Sequence, residues 1–223
     1  MGSLLAGTGC RKRSQVRSMP RWKNAIQTSD EVSRLKREAV LRQSARIFGR
    51  RGYHNASLDD VAKSLNVSKG TLYNYVKDKE EILFECHKMA LDIGEKAFEQ
   101  TQEHPGNGRE RLASMLHDYI VMLHDKLGAC GILTEVDALK PSHRKEIVAR
   151  RDDHQQRFVA MLEAGMADGS LRKLDIKLAI YTFMGAINAI PRWYSPKGRL
   201  TNMQIADAMV DMLMNGMGAP INI

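Results

Sequence analysis

Cysteine is scarce in this chain: Cys10, Cys86 and Cys130 are the only three in 223 residues. Their spacing fits no metal site, and an odd count in a chain this long argues for reduced thiols over a disulfide framework. Long apolar runs are missing too. None approaches the roughly 20 residues that cross a bilayer, so no membrane partner is expected. The opening MGSLLAGTGC puts its basic residues after a scrap of apolar sequence, the reverse of a secretory signal. Ala6 stands where myristoylation needs Ser or Thr. A cytoplasmic protein is the resulting expectation. No strand alternation and no internal repeat is visible. There is no Gly-rich phosphate loop, nucleophile elbow or paired-cysteine site, so no catalytic residue and no cofactor is assigned. His117 and His124, beside Asp118 and Asp125, share a helix face; they read as polar surface, and no metal ligand is named.

Charge is present and unevenly spread. The net value is +8. Residues 1–77 carry 16 Lys and Arg against 5 Asp and Glu, whereas residues 78–223 carry 18 against 21. A basic front on a slightly acidic body is what a polyanion-binding head would show. Within that front, residues 1–32 hold Arg11, Lys12, Arg13, Arg17, Arg21 and Lys23 with little periodicity. They read as a disordered basic arm that reaches a minor groove or adds phosphate attraction. Met19 offers a second start.

The stretch SLDDVAKSLNVSKGTLYNY, residues 57–75, reads as two short helices and a tight turn. Ser57 caps the first, with Asp60 three residues on. Leu58, Val61, Ala62 and Leu65 recur at helical spacing. Asn66 breaks the pattern, and Val67 is an apolar pin at the turn. Ser68 caps the second helix, with Leu72 and Val76 inward. Lys69, Thr71, Tyr73, Asn74 and Tyr75 are left outward, a set suited to a DNA groove. The competing reading is a pair of core helices in an all-α domain.

The other segments are helical as well, giving an all-α fold. A first helix over about 30–51 ends at Gly52. A fourth starts at Asp78, with Glu80 and Glu81 in its first turn, and stops before His104-Pro105-Gly106. The fifth covers about 109–126. A short sixth, about 132–139, is stopped by Pro141. The seventh runs over about 142–167, the eighth over about 175–193 and the ninth from Thr201. The eighth, containing LAIYTFMGAINAI, has no clean polar side and must be covered all round, which predicts a subunit contact. The expected domains are the arm at 1–32, a helix-turn-helix at 33–77, and a helical ligand-binding and dimerisation domain at 78–217.

The run FGRRGYHNASLDDVAKSLNVSKGTLYNYVKDKEEIL resembles the DNA-binding domain of the TetR family of transcriptional regulators. The shared features are the Gly-Tyr before the first cap, Asp-Val-Ala on the second helix, Val-Ser-Lys-Gly-Thr-Leu-Tyr on the third, and Lys-x-Lys-Glu-Glu-Ile-Leu opening the fourth. The likeness is strong over about 34–83 and one of layout elsewhere. It implies that the positions from Ser68 to Tyr75 read DNA. Lys69, Lys79, Ser57 and Tyr75 are assigned to phosphates, and Thr71, Tyr73 and Asn74 to base edges or thymine methyls. Gly70 would let backbone come close. Asn74-Tyr75-Val76 stands where the family often has Tyr-His-Phe, which alters individual base contacts.

Eleven of the thirteen methionines follow residue 88. Met115, Met122, Met161 and Met184, with Tyr119, Phe183 and Trp193, are candidates to line a cavity between the fifth, seventh and eighth helices; ordinary core filling is the other reading. In the family such a cavity binds a small inducer. The patch from Gly185 through Asn188, Arg192 and Trp193 to Leu200 resembles members that sense acyl-CoA thioesters. Arg192, Lys197 and Arg199 would meet CoA phosphates there, with Trp193 on an acyl chain or adenine. The expected protein is a ligand-released repressor that binds a palindromic double-stranded DNA operator. It would be a homodimer through the eighth and ninth predicted helices. Two alternatives stay open: a ligand-independent DNA-binding protein, and a helical thioester-binding enzyme or carrier.

Overall fold

A computed structural model describes residues 29–127, 132–195 and 197–216. Most of the basic arm, Cys10, Met19 and Cys130 lie outside these residues. Helix α1 spans Ser29–Arg51, α2 Leu58–Ser64, α3 Lys69–Tyr73, α4 Lys79–Gln102 and α5 Gly108–Leu127. Helix α6 spans Pro141–Ala167, α7 Ile176–Trp193 and α8 Asn202–Asn215. No strand occurs among the described residues, so the all-α expectation holds.

Local chemistry sets the head. Gly52 ends α1 with φ of +83°, a left-handed conformation that favours glycine. The Ser57 Oγ accepts from the Asp60 N–H at 3.2 Å, and the Asp60 carboxylate accepts from the Ser57 N–H at 2.9 Å. This reciprocal capping box opens α2. Asn66 turns the chain with φ of +54°, which Asn tolerates better than most residues. Phe48, Val61, Leu72 and Val76 are buried together as the head's core. Val67, expected to pin the turn, is more than a third exposed.

The body is a helical bundle in which α5 packs against α4, α6 and α8. Asp78 caps α4, accepting from the Glu81 N–H at 2.7 Å. Pro105 and Gly106 follow α4, with Gly106 at φ of +128°. Helix α5 then begins hard against the end of α6. The Gly108 N–H donates to the Asp168 carboxylate at 2.7 Å, and the Arg109 N–H to the Ser170 Oγ at 3.0 Å.

One expectation changes. The segment 132–139 is not a helix but a turn followed by one short 3₁₀ element, Val136–Ala138. Pro141, the first residue of α6, holds Lys140 in an extended conformation with ψ of 149°, which ends any helix before it. Within the single chain the eighth predicted helix, α7, is covered on one side, and the expected subunit contact concerns the other. Ile180, Phe183, Ile187 and Ile190 are buried, whereas Leu178 is 66% and Tyr181 61% exposed. On α8, Ile205 and Ala206 face in, and Met212 faces out.

A Cβ added to Gly108 would collide with the Gly165 backbone, which cannot yield as a flexible side chain does. Gly108→Ala is therefore expected to lower the unfolding free energy by about 1–3 kcal/mol through overpacking. A Cβ on Gly70 meets nothing nearer than 3.8 Å, so Gly70→Ala should leave the urea midpoint close to wild type.

Candidate nucleic-acid interface and effector cavity

Helix α3 is little more than one turn long and is fixed by its own cap and by one apolar anchor. Ser68 Oγ accepts from the Thr71 N–H at 3.0 Å and shares a 2.8 Å hydrogen bond with Thr71 Oγ1. Leu72 is fully buried beneath it. Ser57, Ser68, Lys69, Gly70, Thr71, Tyr73 and Asn74 are all exposed. Tyr73 is an aromatic ring held at 46% exposure. Lys69 Nζ lies 2.9 Å from Asp59 Oδ1, which ties the start of α3 to the start of α2. The hydrogen bond and the charge of Asp59 raise the Lys69 pKa. Exposed pairs of this kind are weak because water screens them, so a phosphate can displace the carboxylate.

Two of the nine DNA candidates sit differently from expectation. Tyr75, assigned to the outward set, is half-buried in a groove with Val40, Leu65 and Leu72. Three and four residues from Leu72 and Thr71, it follows the inner edge of the helix. Lys79 is half-buried, with Nζ 4.3 Å from the centroid of the Tyr53 ring and 5.5 Å from that of Phe48. It also donates to the His54 carbonyl at 3.4 Å. Burial lowers its pKa. Lys36 of α1 was not foreseen; it lines the same groove as Thr71 and Tyr75, a juxtaposition that sequence spacing does not reveal.

A cavity of about 200 Å³ lies in the body. Met115 and Tyr119 of α5 and Met184 and Asn188 of α7, four of the nine ligand candidates, line it. The other five candidates lie elsewhere. Met161 faces a second hollow, between α4, α5 and α6, with Arg111 and Asp168. Phe183 is buried on the opposite side of α7, beside Leu112 and Leu162. Met122 is half-buried against the core and outside the cavity. Arg192 and Trp193 are exposed near the end of α7, Trp193 by 55%.

The expected placement omitted α4, which supplies His87, Leu91, Gly94 and Phe98. Their spacing of four, three and four is one helical stripe, a signal the sequence did carry. Helix α6 adds Arg151, His154, Gln155 and Phe158. A Cβ on Gly94 would come within 2.8 Å of the His154 ring, so glycine there makes room for the imidazole.

The cavity's polar groups are perturbed. Arg151 Nη2 donates to the Leu133 carbonyl and, at 3.2 Å, to His87 Nδ1. Burial, and then the Arg151 charge, push the His87 pKa down to about 3. Burial lowers His154 too, against the pull of Glu95 3.4 Å away. His117 contacts Asp118 at 3.3 Å and Asp207 at 3.2 Å. The His124 side chain lies outside the described residues, and no metal-binding group of side chains occurs among those described.

Residues 40–86 match the family described as bacterial regulatory proteins, tetR family. Residues 105–217, half the chain, match the tetracyclin repressor-like C-terminal domain. The chain belongs to the TetR family: it is a DNA-binding, helix-turn-helix regulator of transcription with a tetracyclin repressor-like C-terminal domain. Among its relatives, the transcriptional repressor KstR2 of Mycolicibacterium smegmatis is 25% identical over 193 residues, covering 81% of this chain and 90% of that protein. The crystal structure of PfmR from Thermus thermophilus superposes with a TM-score of 0.66 at 28% identity, covering 81% and 99% of the two chains. AibR, crystallised with isovaleryl coenzyme A and operator DNA, superposes at 0.64 with 28% identity, covering 80% and 98%. No described helix is long and apolar enough to cross a membrane.

His87 is neutral in the folded chain and basic in the unfolded one. Its folded pKa is depressed, so the unfolded state binds the extra proton as pH falls below about 6.5. The contribution is therefore complete above pH 6.5 and declines toward pH 3, at no more than about 1.4 kcal/mol per pH unit. Urea midpoints at pH 7.0 and 5.5 should fall more for wild type than for His87→Phe; equal falls would contradict the assignment.

Proposed function

We propose that this regulator is a repressor that holds a palindromic operator as a homodimer and releases it when a small, largely apolar effector enters the cavity. The observation that carries the reading is that α4 walls the cavity with His87, Leu91, Gly94 and Phe98 while its first turns pack into the head. An occupant that shifts α4 must also shift α3. On DNA, Thr71, Tyr73 and Asn74 meet base edges, and Ser57, Ser68 and Lys69 meet phosphates. Gly70 allows backbone approach, Tyr75 supports α3 from within, and Lys79 braces the aromatic pair below it. The protein would act in the cytoplasm, and no catalytic role is proposed.

The effector is proposed to be an acyl-CoA thioester. The cavity is smaller than the roughly 300–1,000 Å³ typical of pockets for drug-sized ligands, so it takes the acyl part alone. Arg192 lies one helical turn beyond Asn188 on the same face of α7, where it and Trp193 would meet the CoA moiety outside. AibR, with isovaleryl coenzyme A and DNA in its crystals, supports this reading. Dimerisation would use the uncovered face of α7, with Leu178, Tyr181 and Gly185, and the outer face of α8 with Met212.

Gel shift against the DNA upstream of the gene, titrated with acyl-CoA thioesters, tests the proposal. A shift that weakens with salt and is reversed by a thioester supports it; no shift under any condition contradicts it. Tyr73→Ala should abolish specific binding and leave the dimer intact, read by gel shift and sedimentation. A second variant tests the interface. Gly185 is exposed in the single chain and an added Cβ meets nothing within 4 Å. Were it solvated, Gly185→Ala would add about 0.5–1 kcal/mol of stability. At a close helix contact it should instead weaken the dimer, seen as a rise in the monomer fraction on dilution.

A further inference from the structure

Resting on the effector reading above, we infer that the cavity recognises a carboxylate at the end of a short apolar chain, through Arg151 and His87. Arginine only donates hydrogen bonds. The 3.2 Å contact between Arg151 Nη2 and His87 Nδ1 therefore makes Nδ1 the acceptor, and a neutral His87 carries its proton on Nε2. His87 is 1% exposed and lines the cavity, yet Nε2 is buried with no hydrogen-bond partner. An N–H donor left unpaired in such a place is destabilising unless a ligand supplies the acceptor.

Arg151 brings a full positive charge to the same wall. Its Nη2 is taken up by the Leu133 carbonyl and His87, and neither partner is an anion. No carboxylate pairs with Arg151 among the described residues, and Glu95, which reaches the cavity residue His154, is engaged by His154 and Arg157. A guanidinium lining a cavity suits a planar, two-oxygen acceptor. A thioester or ketone oxygen would satisfy a donor but leave the cation uncompensated. A carboxylate does both, and the apolar walls at Leu91, Met115, Phe158 and Ile180 suit a short chain behind it. The carboxylate has two sources: a free acid, or the far end of an acyl group whose thioester points outward.

The full chain is titrated calorimetrically with two matched pairs, hexanoate against hexanamide and adipoyl-CoA against hexanoyl-CoA. The carboxylate-bearing member of at least one pair should bind at least about tenfold more tightly, as expected for a charged hydrogen bond. Arg151→Met should erase that preference; because it also takes the donor from the Leu133 carbonyl and His87 Nδ1, its far-ultraviolet circular dichroism must match wild type for the comparison to count. Arg151→Lys should keep part of it. Equal or reversed affinities in both pairs, or a preference that survives Arg151→Met, overturns the inference. If both thioesters bind equally and hexanoate binds no better than hexanamide, the thioester reading stands and the carboxylate fails. If only hexanoate binds, the carboxylate stands and the thioester reading fails. If none binds, both fail.

Discussion

One uninterrupted helix makes the head answerable to the body. Helix α4 has 24 residues, about 36 Å of rod at 1.5 Å per residue. Its first turns are clamped from both sides. Arg37 of α1 reaches Glu81 at 2.9 Å, and Lys140, the residue before α6, bonds Asp78 at 3.0 Å and Glu80 at 3.1 Å. His143 of α6 adds a 2.8 Å contact to Glu80 and stacks on Phe84 at 3.8 Å. Burial would raise the Glu80 pKa, but the Lys140 N–H, His143 and the Lys140 ammonium hold it below the usual carboxylate value. Together they keep Glu80 ionised at the joint.

Both rods that meet at this joint also wall the cavity. Helix α4 does so through the stripe from His87 to Phe98, and α6 through Arg151 to Phe158. An occupant between them has little soft material to push against, because closely packed interiors transmit strain instead of absorbing it. The glycines mark where that packing is tightest. Gly94 admits the His154 ring, and Gly108 and Gly165 let α5 and α6 touch backbone to backbone. A ligand that favours one spacing of α4 and α6 thus favours one placement of α3, which is population shift with an identified lever.

The head was legible because its signals are local. Ser57 with Asp60, Ser68 with Thr71, and Asn66 at the turn act within four residues, and each is found as expected. The family likeness pointed the same way. Lys79 could not be placed from sequence, because the rings beneath it come from Phe48 and Tyr53 across the fold. The cavity was legible only in part. Met115 and Met161 look alike on paper, but they point into different hollows, and methionine fills core and pocket equally well. His87 and Arg151 are 64 residues apart in sequence, so no periodicity joins them. Helix α7 was read as apolar all round; its sides differ in what covers them, which a sequence does not state.

The central claim is mechanical: filling the cavity moves the heads relative to one another. Spin labels at Lys63, an exposed residue of α2, in a dimer with Cys10 and Cys130 replaced, measure that distance directly. The separation in the operator complex, whose half-sites lie about 34–36 Å apart, defines the bound geometry. Adding an effector that releases DNA is predicted to move the label distance away from that value. Release of DNA with the label distance unchanged would contradict the account.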